Sequence, residues 1–381
     1  MKILQVIPYF NPKFGGDVNS TYLLSQKLIA RGHEITILTT DFHFDSSYAQ
    51  QLKPIDVIPI ECSIHVGLFL YSPTINIWLS ENISKYDIIH MQNFRSYQNA
   101  VVSDYAQKLK IPYILQARGS VLPFFEKQLL KKCFDLIWGN KILKNAAVCI
   151  ALTKTESDQY EKMGVLKNKI VIIPNGIDIS QYADLPPRGR FRLKYKIPEN
   201  ERMILSLGRI HKIKGIDLLV EAFSKIHSHM SDIKLVVAGP NGGSLAQIQQ
   251  QVRELHLEND VIFAGPLYGK DKLEAYIDAD VFVLPSRYET FPNSVLEAWA
   301  CGTLVIATKK CQILDYIEEA GYCIEDNPID LANVMRKIFS ESEECETRIK
   351  QNNGKRLVQR ILNIKNTISQ VDYLYHTILK S

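Results

Sequence analysis

Long apolar runs are missing from this chain of 381 residues, and none approaches the roughly 18–20 residues that a membrane-spanning helix needs. Met1–Phe10 is broken by Gln5 and Pro8 and has no small-residue cleavage site, so it reads as a first strand rather than a signal peptide. Cysteine is sparse and unpatterned. The seven cysteines are odd in number and include no Cys-x-x-Cys, which argues for reduced thiols in a cytoplasm and against a disulfide framework or a zinc site. Excess charge is small too: a net +4 over this length gives no argument for nucleic acid. No Gly-x-Gly-x-x-Gly is present, so the dinucleotide fingerprint is absent. What is left is an ordinary soluble composition, 46% hydrophobic and 23% charged, with length enough for two domains with sizeable cores.

The most informative stretch is Arg287–Gly302, RYETFPNSVLEAWACG. Before it, Val281-Phe282-Val283-Leu284 is a β-branched and aromatic run ending at Pro285-Ser286, the pattern of a buried strand. After Pro292, Val295, Leu296, Trp299 and Ala300 fall at helical spacing. Glu289 is thus expected on a loop at a strand's carboxyl end, where open α/β sheets bind ligands, and Glu297 about one turn into the next helix. Amides at that helix start suit an anionic or hydroxyl-rich ligand. From spacing alone, Ser294 and Glu297 are equally a capping box. Glu289, flanked by Tyr288 and Phe291, has no such duty.

Strands alternate with helices along the rest of the chain. Ile3–Ile7 is followed by a loop containing Pro12, Gly15 and Gly16, and then by a helix over Thr21–Ala30. Strand, glycine loop and helix form a geometry that lets amides approach a phosphate or sugar, although two glycines also make a simple turn. Further strands are expected at Glu34–Thr39, Ile88–Met91, Pro112–Gln116, Ala147–Ala151 and Ile170–Ile173, with His90 a structural histidine. A turn at Pro174-Asn175-Gly176 and a linker over Asp184–Asn200 precede a second set at Met203–Leu207, Lys234–Ala238, Val261–Ala264, Val281–Leu284 and Leu304–Ala307. Two doubly wound parallel-sheet halves with a cleft between them follow from this alternation. Gly208-Arg209 and Lys214-Gly215 bracket a strand-end loop ahead of a helix carrying Ile216, Leu219, Val220 and Phe223, and one Arg plus one Lys there suit a diphosphate. Lys127–Lys144 is basic and amphipathic: five lysines against Asp135 leave a local +4. It fits a solvated face more readily than a helix lying on anionic lipid. Asp278-Ala279-Asp280 looks like a metal pair but sits just before a strand, where structural duty is the better reading.

Pro285-Ser286, Glu289, Phe291-Pro292 and Glu297-Ala298 together resemble the signature of retaining GT-B glycosyltransferases, carbohydrate-active family four (glycosyl transferases group 1). That family has two glutamates separated by seven residues, and here 297 − 289 = 8 matches. The resemblance implies an α/β GT-B fold of two Rossmann-like domains facing across a cleft. The expected bounds are 1–183 on the acceptor side, 184–363 for the nucleotide-sugar, and a helix at 364–381 crossing back to the first domain.

It also implies roles. Arg209 and Lys214 would hold the donor pyrophosphate and stabilise charge on the leaving phosphate; Glu289 would take hydroxyls of the transferred sugar. Glu297 would take the ribose hydroxyls, Pro266 and Leu267 the base through backbone atoms, and backbone near Phe291, Pro292 and Asn293 the sugar. Gly15 and Gly16 would lie beside the pyrophosphate and acceptor. Arg118, where many members have His-Gly, would act electrostatically or by positioning the acceptor, since an arginine is no base at neutral pH. The implied activity is metal-independent transfer, without cofactor and with retention, from a UDP- or GDP-sugar to a hydroxyl of a glycan or lipid-linked acceptor. The implied location is cytoplasmic, with a peripheral contact at the cytoplasmic membrane face through Lys127–Lys144. Thr290 and Lys309-Lys310-Cys311-Gln312 depart from the family pattern at the sugar end. A nucleotide-sugar epimerase of the same fold and a non-catalytic sugar-nucleotide-binding module fit the same sequence.

Overall fold

The computed structural model describes residues 1–11, 15–123, 127–340 and 343–380; Pro12 of the expected first loop and Glu126 at the head of the basic stretch lie outside them. The chain forms two compact units, residues 1–175 with 365–381, and residues 176–364.

The first unit is built on β1 (Lys2–Val6), β2 (Glu34–Thr40), β3 (Asp56–Ile60), a small hairpin of β4 (Ile64–Val66) and β5 (Phe69–Tyr71), and then β6 (Ile88–Gln92), β7 (Tyr113–Gln116), β8 (Val148–Ala151) and β9 (Ile170–Ile172). Among the described residues, seven of these make one sheet in the order β3-β2-β1-β6-β7-β8-β9. Every pairing in it is parallel. Central strands such as β6 are buried along their whole length, as a sheet covered by helices on both faces requires. Edge strand β3 was not expected. Its Pro59 cannot donate to a ladder and masks the strand pattern, and an edge is where such a residue is tolerated. The C-terminal helix Ile364–Lys380 belongs to this unit: Tyr375 is fully buried, and its hydroxyl lies 2.7 Å from His90 Nδ1.

The expected first helix starts earlier than its pattern indicated, running Gly16–Ile29. Gly15 caps it with φ 112°, a backbone setting that favours glycine, and Asp17 follows in the first turn. The basic stretch is not one regular helix. It is a helix over Gln128–Phe134, a π turn over Asp135–Gly139, and a second helix over Asn140–Asn145. At the π turn Asp135 points inward to a two-pronged pair with Arg95, at 2.7 Å on each prong.

The second unit carries β10 (Arg202–Leu207), β11 (Ile233–Ala238), β12 (Val261–Gly265), β13 (Val281–Leu284), β14 (Leu304–Thr308) and β15 (Gly321–Ile324), all parallel in the order β12-β11-β10-β13-β14-β15. β15 is a short edge strand that opens on glycine and has no clear apolar run, so its pattern was too weak to read. The expected linker is largely structured within this unit. Helix Arg190–Tyr195 buries Phe191 and Arg192, and the Arg192 guanidinium bonds Asp280 at 2.8 Å. Asp278 accepts the Arg192 amide at 2.9 Å, and Asp280 also accepts the Met203 amide at 2.7 Å. Both aspartates therefore pin the unit's first strand and helix, the structural duty expected for them.

Candidate active site

β13 delivers the key loop. Its four residues are buried, sit between β10 and β14, and stop at Pro285. Helix Asn293–Cys301 then packs Val295, Leu296, Ala298 and Trp299 inward and ends at Gly302, whose φ of 81° is the usual left-handed stop. Between strand and helix, Glu289 is fixed by its backbone. Its amide donates to the Lys310 carbonyl at 3.1 Å, and its carbonyl accepts the Gln312 amide at 2.9 Å. The departing Lys309–Gln312 segment is thus the rail on which Glu289 sits. Phe291 is buried, its ring edge-on to Tyr316.

The second loop follows β10. Gly208 and Gly239 touch backbone to backbone: a Cβ on Gly239 would sit 1.8 Å from the Gly208 carbonyl oxygen. Arg209 is exposed, its stem lying along Gly242, where a Cβ would come within 2.6 Å of Arg209 Cγ. A short turn over Lys212–Lys214 leads to Gly215 at φ 65°, and helix Ile216–His227 begins there. Gly215 cannot be larger, because its Cβ would lie 2.0 Å from the Pro285 carbonyl oxygen. The two loops are also clipped by Arg287, which grips both oxygens of Asp217 at 2.8 and 2.6 Å and bonds the Lys212 carbonyl at 2.7 Å. Across this clip the Lys214 ammonium pairs with the Glu289 carboxylate. Arg209, Lys214 and Glu289 thus come from two loops held edge to edge.

Glu297 settles the capping question. Pro292 is the cap residue of its helix and offers no side chain to an amide. The Glu297 carboxylate turns away, accepting from Lys272 at 2.8 Å and from the Tyr276 hydroxyl at 3.1 Å. Those partners lie on helix Gly269–Asp278 and were not anticipated. Tyr276 is fully buried, and burial, with Glu297 beside it, holds its phenol well above the usual range. Tyr182 is raised by the same two causes in the same order. Glu297 is therefore a partly exposed carboxylate set by a cation and a phenol. Pro266 and Leu267 follow β12 directly, Pro266 exposed and Leu267 buried. A groove of about 620 Å³ opens beside Lys272, walled by Tyr182, Pro186, Arg190 and Lys270.

The first unit holds the other expected residues. Arg118 follows β7 in left-handed backbone, φ 50°, and is the hub of a polar cluster at the strand ends. Its guanidinium donates to Gln92 at 2.8 Å, Gln116 at 3.1 Å and Asn175 at 3.2 Å. Burial lowers its pKa to about 10, with Asp17 and Glu156 opposing, so it stays charged at neutral pH. Glu156 accepts the Gly119 amide at 2.6 Å and the Leu152 amide at 2.7 Å, tying down the Arg118 loop. Asp17, just after Gly15-Gly16, accepts from Tyr9 at 2.8 Å and Asn93 at 3.1 Å. His90, fully buried next to this cluster, has its pKa lowered to about 3, first by burial and then by Arg118. Arg95, unmentioned by any motif, bonds the Val121 carbonyl at 2.9 Å and steadies the other side of the Arg118 loop. No group of three or more His, Cys, Asp or Glu among the described residues is arranged to hold a metal.

Comparison with known proteins agrees with this layout. Residues 187–356 match the family model for glycosyl transferases group 1, and residues 14–181 that for glycosyltransferase family 4. Mannosylfructose-phosphate synthase of Agrobacterium fabrum is 25% identical over 362 residues, covering 85% of this chain and 78% of that protein. D-inositol 3-phosphate glycosyltransferase of Kineococcus radiotolerans is 35% identical over 181 residues, 45% of this chain and 42% of that one. Among solved structures, Anabaena HepE, determined in complex with UDP and glucose, superposes with a TM-score of 0.82 at 19% identity, covering 99% of this chain and 100% of that chain. Sucrose-phosphate synthase of Thermosynechococcus elongatus does so with a TM-score of 0.78 at 22% identity, covering 100% and 99%.

Proposed function

The chain belongs to the group 1 glycosyltransferases of family four and has their GT-B fold, and from that premise we propose that it transfers a hexose, with retention, from a nucleoside-diphosphate sugar to an acceptor hydroxyl. The observation that carries this reading is the Lys214–Glu289 pair on two clipped loops, with Arg209 exposed on the same loop as Lys214. A sugar diphosphate presents both of the groups such a site answers: phosphate oxygens for the two cations and sugar hydroxyls for the carboxylate. Binding exchanges the internal ion pair for contacts with the donor.

In this reading Arg209 and Lys214 stabilise the charge that builds on the leaving phosphate, a preorganised electrostatic role that needs no metal. Glu289 orients the sugar and is not the nucleophile. The acceptor attacks from the face the phosphate leaves, and that phosphate takes the acceptor's proton. Glu297, with Lys272 and Tyr276 behind it, receives the ribose hydroxyls. The neighbour solved with UDP and with UDP-glucose favours a UDP-sugar over a GDP-sugar. Glycan and lipid-linked hydroxyls are the acceptor classes, and the site of action is the cytoplasm, with a peripheral contact at the membrane face.

A thermal-shift panel of UDP, GDP and their common sugars, run with chelator, tests the donor. Ligand at a hundred times its dissociation constant adds about 2.7 kcal/mol of stability. Transfer or slow hydrolysis giving a product of unchanged anomeric configuration supports the reading. An inverted product sinks the stereochemical part, a C2-epimerised nucleotide-sugar points to the epimerase, and binding without turnover points to a non-catalytic module.

A further inference from the structure

The first unit's sheet carries a polar seam in its interior. On β1 and β6, Leu4, Val6, Ile89 and Met91 join the apolar core on one face, and the residues between them, Gln5, His90 and Gln92, turn to the other face. All three are fully buried, and a buried polar side chain is costly unless it is hydrogen-bonded. Strand pairing sets Gln5 beside His90, and Gln92 beside Gln116 of β7. The C-terminal helix Ile364–Lys380 lays Tyr375, also fully buried, against this seam.

One chain of hydrogen bonds joins these side chains to Arg118. Arg118 Nε donates to Gln92 Oε1 at 2.8 Å, and Gln92 Nε2 donates to Gln5 Oε1 at 2.9 Å. Gln5 Nε2 donates to the Tyr375 hydroxyl oxygen at 3.4 Å, and that oxygen lies 2.7 Å from His90 Nδ1. The direction is forced from the arginine end. A guanidinium only donates, so Gln92 must present its oxygen to Arg118 and its N–H to Gln5. Gln5 in turn presents its oxygen to Gln92 and its N–H to Tyr375. The Tyr375 O–H is left to donate to a bare His90 Nδ1, which puts the ring proton on Nε2. The hydroxyl also keeps both carboxamides in this orientation, because it accepts the Gln5 N–H and a phenylalanine ring edge would not. With both amides reversed, an amino group would face the Arg118 guanidinium, donor against donor.

We propose that Tyr375 is a positioning residue: through Gln5 and Gln92 its hydroxyl aims the Arg118 guanidinium at the strand ends, and so ties the C-terminal helix to the acceptor side of the reaction. Glu156 and Arg95 hold the backbone of the Arg118 loop, and Gln116 and Asn175 take the two terminal nitrogens of the guanidinium. The relay from Tyr375 governs the remaining one, Nε. What the aimed charge serves rests on the glycosyl-transfer reading, in which Arg118 acts on the acceptor side; the relay itself does not rest on it.

Tyr375→Phe in the full chain, which removes one oxygen and keeps the ring, tests this. In arginine side-chain NMR spectra the Arg118 Nε–H signal, assigned by its loss in Arg118→Lys, should shift and broaden in Tyr375→Phe. The Arg95 Nε–H, bonded to Asp135 at 2.7 Å in the same unit, should stay in place. Hydrolysis is followed with UDP-glucose, or with the nucleotide-sugar that the parent turns over fastest, water serving as acceptor. There kcat should fall about tenfold, the scale of one lost hydrogen bond to a charged group, with KM for the donor unchanged. Val371→Ala, which trims a buried residue of the same helix, should lower the melting temperature and leave both readouts alone where the variant is folded. In an Arg118→Lys background Tyr375→Phe should cost no further turnover. An unmoved Arg118 signal overturns the proposal. So does a moved signal with unchanged kcat, or a loss of kcat that Val371→Ala reproduces. A parent that turns over no nucleotide-sugar sinks the transfer reading instead, and the Arg118 signal then decides the relay by itself.

Discussion

Lys214 and Glu289 are 75 residues apart in the chain and are bonded to each other, ammonium to carboxylate, at the carboxyl ends of neighbouring strands. Each neutralises the other. Neither charge is buried without a partner.

Removing Lys214 should therefore hurt turnover far more than folding. Lys214→Ala is expected to lower kcat by about 100-fold or more, the scale for losing one preorganised charge donor. A partly exposed ion pair contributes little stability, so unfolding should change by no more than about 1 kcal/mol. Steady-state kinetics beside urea denaturation checks this, and equal activity in the variant would remove Lys214 from the phosphate site.

Glu297 should be read in affinity. Glu297→Gln is expected to weaken UDP about tenfold, the cost of a lost hydrogen bond to a charged group. Lys272→Met should weaken it by a smaller factor, because on the proposed reading Lys272 acts through the Glu297 carboxylate it bonds. Calorimetric titration with UDP and with its 2′,3′-dideoxy analogue discriminates: both losses should vanish for the analogue.

Gly215→Ala tests the join between the loops. A left-handed backbone costs an L-residue about 1–2 kcal/mol, and the new methyl would sit 2.0 Å from the Pro285 carbonyl oxygen. The expected outcome is a lower melting temperature together with loss of the UDP shift. A variant of unchanged melting temperature and UDP response would show that the two loops tolerate separation.

His90 makes a prediction about pH. Its pKa falls from 6.5 to about 3 in the folded chain, through burial first and the Arg118 charge second. Below pH 6.5 the unfolded chain takes up a proton that the folded chain refuses, so this group's contribution is complete above pH 6.5. It is lost progressively as pH drops toward 3, by up to about 1.4 kcal/mol per unit. Urea unfolding at pH 7, 6 and 5 should show a gentler acid loss for His90→Gln than for the parent. An assigned His90 ring signal with its midpoint near 6.5 would contradict this account.

Much of the fold was legible because central parallel strands are apolar on both faces. Val281–Leu284 is such a run, and its bounds matched to the residue. Edges were harder. Pro59 disguised β3, and the hairpin's Ile64 and Val66 point to solvent, so no alternation marks them. At the site, residue types at strand ends were readable, but their partners were not. Nothing local ties Glu297 to Lys272 and Tyr276, which lie 25 and 21 residues earlier on another helix. Nor does spacing show that Arg118 is met by Gln92 and Asn175, which lie 26 and 57 residues away and are brought to it by the fold. The basic stretch fitted a solvated face, and its lysines are largely exposed. Leu136 stands exposed in the π turn while Asp135 beside it is buried, an arrangement no helical wheel displays.

The backbone bonds between Glu289 and residues 310–312 have a bearing on ancestry and engineering. Lys214 is anchored from the other side, through Gly215 and the Arg287–Asp217 clip, and shares none of those bonds. Changes in the 309–312 segment can thus re-aim the Glu289 carboxylate while the backbone that carries Lys214 keeps its own supports. On the proposed reading, a lineage or a designer would trade one sugar for another in that segment without relearning how to hold a diphosphate.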